Sequence, residues 1–172
     1  RNKRNILFHA VPATNQLSDC IEWNDNYLVQ DTSSLVFGKN LTGSNVTVNL
    51  AKIPHILLGG STGSGKSVLL KLLLMQAIKK NCVVSIADFK GGVDYPKVWH
   101  DKCRICFDED SLIPLLTELV DELEWRKTVF RETGCANLDM YNKQTGNKLQ
   151  RHIFACDEVA EILDKTGLTK EQ

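Results

Sequence analysis

The sequence predicts an α/β domain: a mostly parallel sheet flanked by helices. Three observations point there. Short apolar runs at residues 55–58, 82–87, 104–107 and 152–156 recur along the chain. Two helix-favouring stretches, about 67–80 and about 111–132, lie between runs. A Gly59-Gly60 turn closes the first run directly ahead of the first helix. Strands that alternate with helices build parallel sheets, because each helix carries the chain back to begin the next strand in the same direction. At 172 residues the chain has room for one domain with a sizeable core.

Taken in order, the first thirty or so residues are polar and mixed, with Trp23 and Tyr27 among Asp and Asn, and read as a lead-in on the domain edge. Residues 35–38 and 46–48 read as two short strands around a glycine-containing turn. The run 55–58 reads as a buried strand entering a glycine turn. In the helix that follows, Leu69, Leu70, Leu72, Leu73, Met75, Ala77 and Ile78 are apolar nearly all round, which predicts burial between neighbours. Residues 82–87 and 104–107 are the next strands. The clearest helix then recurs at Leu112, Leu116, Leu119, Leu123 and Phe130, acidic early and basic late at Arg126, Lys127 and Arg131, with Gly134 as its stop. Residues 152–156 give the last strand.

Composition narrows the class. With 42% hydrophobic and 24% charged residues the chain is neither disordered nor fibrous. Its 21 basic residues balance 21 acidic ones, so net charge announces neither nucleic acid nor an anionic membrane. The six cysteines give no disulfide framework: Cys82 and Cys156 sit in apolar runs, and Cys103 and Cys106 form a lone CxxC without a second ligand pair. That usage fits a reducing compartment. Residues 1–5 are charged, but no apolar segment with a cleavage site follows, so no signal peptide is expected. The longest apolar stretch, 68–78, is about half a membrane span and is interrupted by Lys71, so this segment is not expected to cross a membrane. His9, His55, His100 and His152 form no ligand or triad spacing, and Trp23, Trp99 and Trp125 make no stacking platform.

The motif that carries chemistry is Gly60-Ser61-Thr62-Gly63-Ser64-Gly65-Lys66-Ser67, which fits GxxxxGK[ST] at every fixed position, after an expected strand and opening an expected helix. Glycines let backbone N–H groups wrap a phosphate, and the helix N-terminus adds partial positive charge; Val68 extends the cradle into that helix. Lys66 can reach the β- and γ-phosphates of ATP, and the Ser67 hydroxyl can ligate Mg²⁺. A bare connecting turn is the alternative, and the complete motif in this context speaks against it. At the end of the last apolar run, Asp157 and Glu158 are consecutive carboxylates. Asp157 suits the Mg²⁺ role of a Walker B acid, and Glu158 suits a general base that polarises water. Their other reading is as caps of a helix at 159–163.

Two further segments resemble a family. Asp88-Phe89-Lys90-Gly91-Gly92 is similar to the Asp-Pro-Lys-Gly-Gly stretch of FtsK/SpoIIIE motors, with Phe89 in place of proline. Arg126 on an acidic helix, followed by Gly134 and Asn137-Leu138-Asp139-Met140-Tyr141-Asn142, resembles another stretch of that family, with Ala136 at its first Arg. Residues 37–43 and 50–55 look like its approach to the phosphate loop, so the likeness runs over about 35–163. The residues alone leave other roles open. Asp88 could support the nucleotide site, touch a neighbouring subunit or cap the next element. Arg126 could be an arginine finger or an ion-paired helix residue. Lys90, Gly91 and Gly92 could merely turn the chain.

The resemblance implies a RecA-like P-loop ATPase that forms a ring, usually hexameric, and moves double-stranded DNA. Its members serve chromosome segregation, sporulation and conjugative transfer, and the divergent sequence here leans towards a mobile-element protein. It further implies a cytoplasmic domain of a membrane-anchored bacterial protein, the anchor lying outside this chain. Protein secretion by a type VII-like ATPase, or a nucleotide-gated assembly module without significant turnover, are the rival readings. Residues 1–34 are read as the lead-in and 35–172 as the ATPase domain, its C-terminal part missing. The family places a sensor strand between the phosphate-loop strand and the Asp157 strand, later in sequence than either, and the chain shows none.

Overall fold

Backbone pairing groups the strands into an antiparallel pair and a parallel three-stranded sheet. The structure is a computed structural model that describes residues 20–31 and 33–158, so the segments 1–5 and 159–163, and His9, lie outside the described residues. It divides into two units, Arg1–Gln76 and Ala77–Gln172.

In the first unit a 3-10 turn, Asp25–Tyr27, is capped by the Asn24 side chain. Trp23 meets Tyr27 edge-on at 6.0 Å between ring centroids, and Lys39 Nζ lies 4.2 Å over the Tyr27 ring. Lys39 ends β1 (Ser34–Lys39), which pairs with β2 (Asn45–Asn49) as expected from residues 35–38 and 46–48. The turn between them is built by Asn40, whose Oδ1 accepts from the backbone N–H groups of Thr42 and Ser44. Leu35 and Val36 are buried, and so are Leu73 and Leu74 of α1 (Lys66–Lys79).

The seven apolar residues named for α1 are all buried or half-buried, as expected, but two other positions of the helix depart from the pattern. Val68 is exposed, while Gln76, a polar residue, is fully buried. Its amide oxygen accepts from Val36 N–H at 2.8 Å, and its amide nitrogen donates to Val36 C=O at 2.8 Å. The side chain thus serves the Val36 backbone as a neighbouring strand would, at the place where the β1–β2 register shifts.

The expected strand at 55–58 is also corrected. Those residues are in no ladder, and Leu57 is 90% exposed. A strand needs a neighbour to bond its backbone. By the resemblance, the neighbour of this one is the sensor strand, which the described residues do not supply.

In the second unit β3 (Val83–Asp88) lies between β4 (Arg104–Cys106) and β5 (His152–Asp157), parallel to both. The parallel sheet is the expected one. Alternation along β3 sends Val83, Ser85 and Ala87 to one face and Val84, Ile86 and Asp88 to the other. Ala87 and Cys106 form a core with Leu112 and Leu115 of α3 (Glu109–Thr133), and Phe89, Leu119 and Cys156 pack on it. A short α2 (Lys97–His100) connects β3 to β4.

Helix α3 begins at the Asp108 cap and ends at Gly134, whose φ of +66° is the left-handed conformation expected of a stop. Its buried face, however, runs through Leu112, Leu115 and Leu119, while Leu116 and Leu123 are exposed. The same spacing continues to Glu122 and Arg126, so the lower half of that face is polar, which hid its phase in a leucine count. The sequence reading also missed α4 (Leu138–Thr145), a helix with the Asn137 side chain bonded to Met140 N–H and Gly146 at φ +74°.

Candidate functional site

The phosphate loop belongs to the first unit. Its Ser64 N–H bonds back to Ser61 C=O at 3.0 Å, a tight turn. Gly63 and Gly65 take φ of +79° and +88°, where a side chain would strain the backbone. A Cβ at Gly60 would collide with Ser64 Oγ, whereas the positions over Gly63 and Gly65 face open space. Helix α1 starts at Lys66, and Leu69 N–H bonds to Gly65 C=O at 2.9 Å. The first turn of α1 holds no acidic residue, so the positive end of the helix is not neutralised by its own side chains. Ser61, Thr62 and Val68 are exposed; Lys66 and Ser67 are half-buried. A cradle of glycine-freed backbone ahead of a helix N-terminus suits a phosphate chain.

The acidic residues belong to the second unit, at the carboxyl ends of its strands, the edge where open α/β sheets hold ligands. Asp88 and Asp157 are register partners on β3 and β5, 0% and 1% exposed. Asp88 has donors: Oδ1 accepts from Lys90 N–H at 3.1 Å and Oδ2 from Gly92 N–H at 3.0 Å. Of the roles left open for Asp88, the structure displays the capping of the following turn. Gly91 and Gly92 sit at φ +76° and +82°, so that turn needs glycine.

Lys90 closes the edge. Its Nζ is 3.0 Å from Glu158 Oε2, and this bond is the first reason its ammonium is held above the usual lysine range, with the Asp157 charge contributing. Buried Tyr95 lies near the same carboxylates: burial foremost, then Asp157 and Asp88, push its phenol well above the usual range. Sequence reasoning singled out Lys90 and Glu158 separately; their pairing depends on β3–β5 register and left no local signal. Tyr95 was missed altogether.

A magnesium ion fits this donor chemistry. The ion prefers one or two carboxylates together with phosphate oxygens and water, and Asp157 offers such a carboxylate at the end of β5.

Other candidates settle differently. Arg126 Nε bonds Glu122 Oε1 at 2.8 Å, and its Nη2 bonds Gln150 C=O at 2.9 Å, with 12% of the side chain exposed. The ion-paired reading is the one displayed. Cys103 and Cys106 spend their thiols on the Trp99 and Ser111 carbonyls. A cavity of about 930 Å³ lies against the amino ends of the strands, with Arg104, Glu118 and His152 on its wall, away from the acidic edge. No helix among the described residues is long and apolar enough to cross a membrane.

A glycine cradle opening a helix and acidic residues closing parallel strands define a P-loop nucleotide-binding α/β chain. The family model described as FtsK/SpoIIIE family matches residues 21–166, and the chain belongs to that family. The DNA translocase SftA of Bacillus subtilis (strain 168) is 30% identical over 137 residues, covering 73% of this chain and 14% of SftA. The DNA translocase FtsK of Clostridium tetani (strain Massachusetts / E88) is 31% identical over 163 residues, covering 86% of this chain and 21% of that protein. Among solved structures, the monomer form of the pCW3 conjugation coupling protein TcpA with ATPγS matches with a TM-score of 0.84 and 36% identity, over 91% of this chain and 44% of TcpA. The chain therefore spans about a fifth or less of these translocases and under half of TcpA.

Proposed function

We propose that this chain is the nucleotide-binding part of an ATP-driven motor that translocates double-stranded DNA, and that its setting is conjugative transfer. The observation that carries the reading is the phosphate loop, complete in sequence and folded with left-handed Gly63 and Gly65 directly ahead of α1. Family membership and relatives named DNA translocases support the cargo, and the 36% identity to a conjugation coupling protein supports the setting.

Each residue has a stated part. The backbone from Gly60 to Gly65, with Val68 beyond, wraps the phosphates, and Lys66 neutralises their outer charge. Ser67 and Asp157 are the residues that would hold Mg²⁺. When bound, the ion would supply charge compensation for the phosphate oxygens. Glu158 accepts the proton of the attacking water. Assembly into a ring, usually hexameric, and anchoring through segments outside this chain complete the proposal.

Hydrolysis by the full-length protein tests it. Duplex DNA is expected to stimulate turnover, and Lys66→Ala to lower it by about a hundredfold or more. Undiminished turnover in Lys66→Ala would refute the site. Stimulation by a secreted polypeptide instead of DNA would move the protein to the secretion class. Oligomerisation on ATP without turnover would make it an assembly module.

A further inference from the structure

Lys90 and Glu158 stand just past the carboxyl ends of two neighbouring strands. Asp88 ends β3 and Asp157 ends β5 in register, which brings the next few residues of each chain segment together. The turn that carries Lys90 is fixed by the buried Asp88 carboxylate, which holds Lys90 N–H and Gly92 N–H at once. A Cβ on Gly92 would come within 3.0 Å of the Phe107 ring, so the turn lies close against the end of β4. Lys90 is thus aimed from a constrained base.

Glu158 is held differently. Its φ is +80°, a region that residues other than glycine seldom adopt. Its carboxylate meets the Lys90 ammonium at 3.0 Å. Side-chain exposures of 37% for Lys90 and 32% for Glu158 make this a pair that water can reach and replace. A carboxylate oxygen occupied by an ammonium at this distance is not free to receive a hydrogen bond from water.

We propose that Lys90 is a positioning residue for hydrolysis: its ammonium holds the Glu158 carboxylate at the β3–β5 edge and must let it go before it can act on water. This rests on the reading of Glu158 as the base. The latch keeps turnover low until the motor is engaged. Lys90 belongs to a segment, Asp88–Gly92, whose sequence otherwise explains only a turn.

The experiment measures ATP turnover by the full-length protein without DNA and with duplex DNA, alongside ATPγS affinity. Lys90→Met is expected to raise DNA-free turnover about two- to five-fold, the scale set by a half-exposed ion pair, with ATPγS affinity unchanged. The ratio of DNA-stimulated to DNA-free turnover falls accordingly, and Lys90→Arg, which keeps the charge, restores most of it. Unchanged or reduced DNA-free turnover in Lys90→Met overturns the latch. Glu158→Gln separates the two layers: if it is inactive while Lys90→Met is unchanged, the latch alone fails. Wild-type turnover in Glu158→Gln removes the base assignment and the latch with it.

Discussion

Gln76 shows how one side chain can replace a piece of secondary structure. Its amide bonds both polar groups of the Val36 backbone, and it does so fully buried. Nothing in a leucine-rich helix marks a glutamine for this task, since the partner lies 40 positions away. Replacing it by leucine leaves a buried N–H and C=O without their partner, which costs about 1–3 kcal/mol. Urea denaturation of Gln76→Leu should show that loss; a wild-type midpoint would mean that Val36 finds other partners. The phosphate loop is the opposite case. Every residue of it is local in sequence, and its spacing alone announced it.

At the scale of elements, legibility followed how local each signal was. The strands at β3, β4 and β5 were visible as apolar runs, and α3 as a long periodic stretch with Gly134 at its end. Helix α4 was missed because it is short and its apolar content low; Asn137 and Gly146, which cap it, were the signals available. The segment 55–58 looked like a strand and is unpaired, because apolar content promises burial only when a neighbour is present to receive it.

Arg126 links elements. From α3 its guanidinium reaches Glu122 on its own helix and the Gln150 carbonyl just before β5. Arg126→Ala should therefore lower stability by about 1–3 kcal/mol, and Arg126→Lys, which keeps charge but loses the planar fork, should recover only part. Chemical denaturation of the two variants checks this. Unaltered stability together with lost hydrolysis would return Arg126 to the nucleotide.

For the molecule as a whole, the charge balance said little about partners, and the decisive juxtapositions are non-local. The Asp88–Asp157 register and the Lys90–Glu158 pair exist only once β3 and β5 lie together. Stability should also depend on acidity. Partial desolvation first, then the nearby Arg126 charge, lowers the His152 imidazole from its usual value of 6.5, although the residue as a whole is exposed, so the effect is a small one. The folded chain thus resists a proton that the unfolded chain accepts. The contribution is present above that value and is lost as pH falls below it. Denaturation midpoints at about pH 7.5 and pH 5.5 should differ in that direction, and His152→Gln should shrink the difference.

In the order β4-β3-β5, the strand that ends in Asp157 is outermost, and no described residue bonds to its far side. Six residues of extended main chain there offer hydrogen bonds to any passing strand. An added strand can extend this sheet by main-chain pairing alone, whatever its side chains.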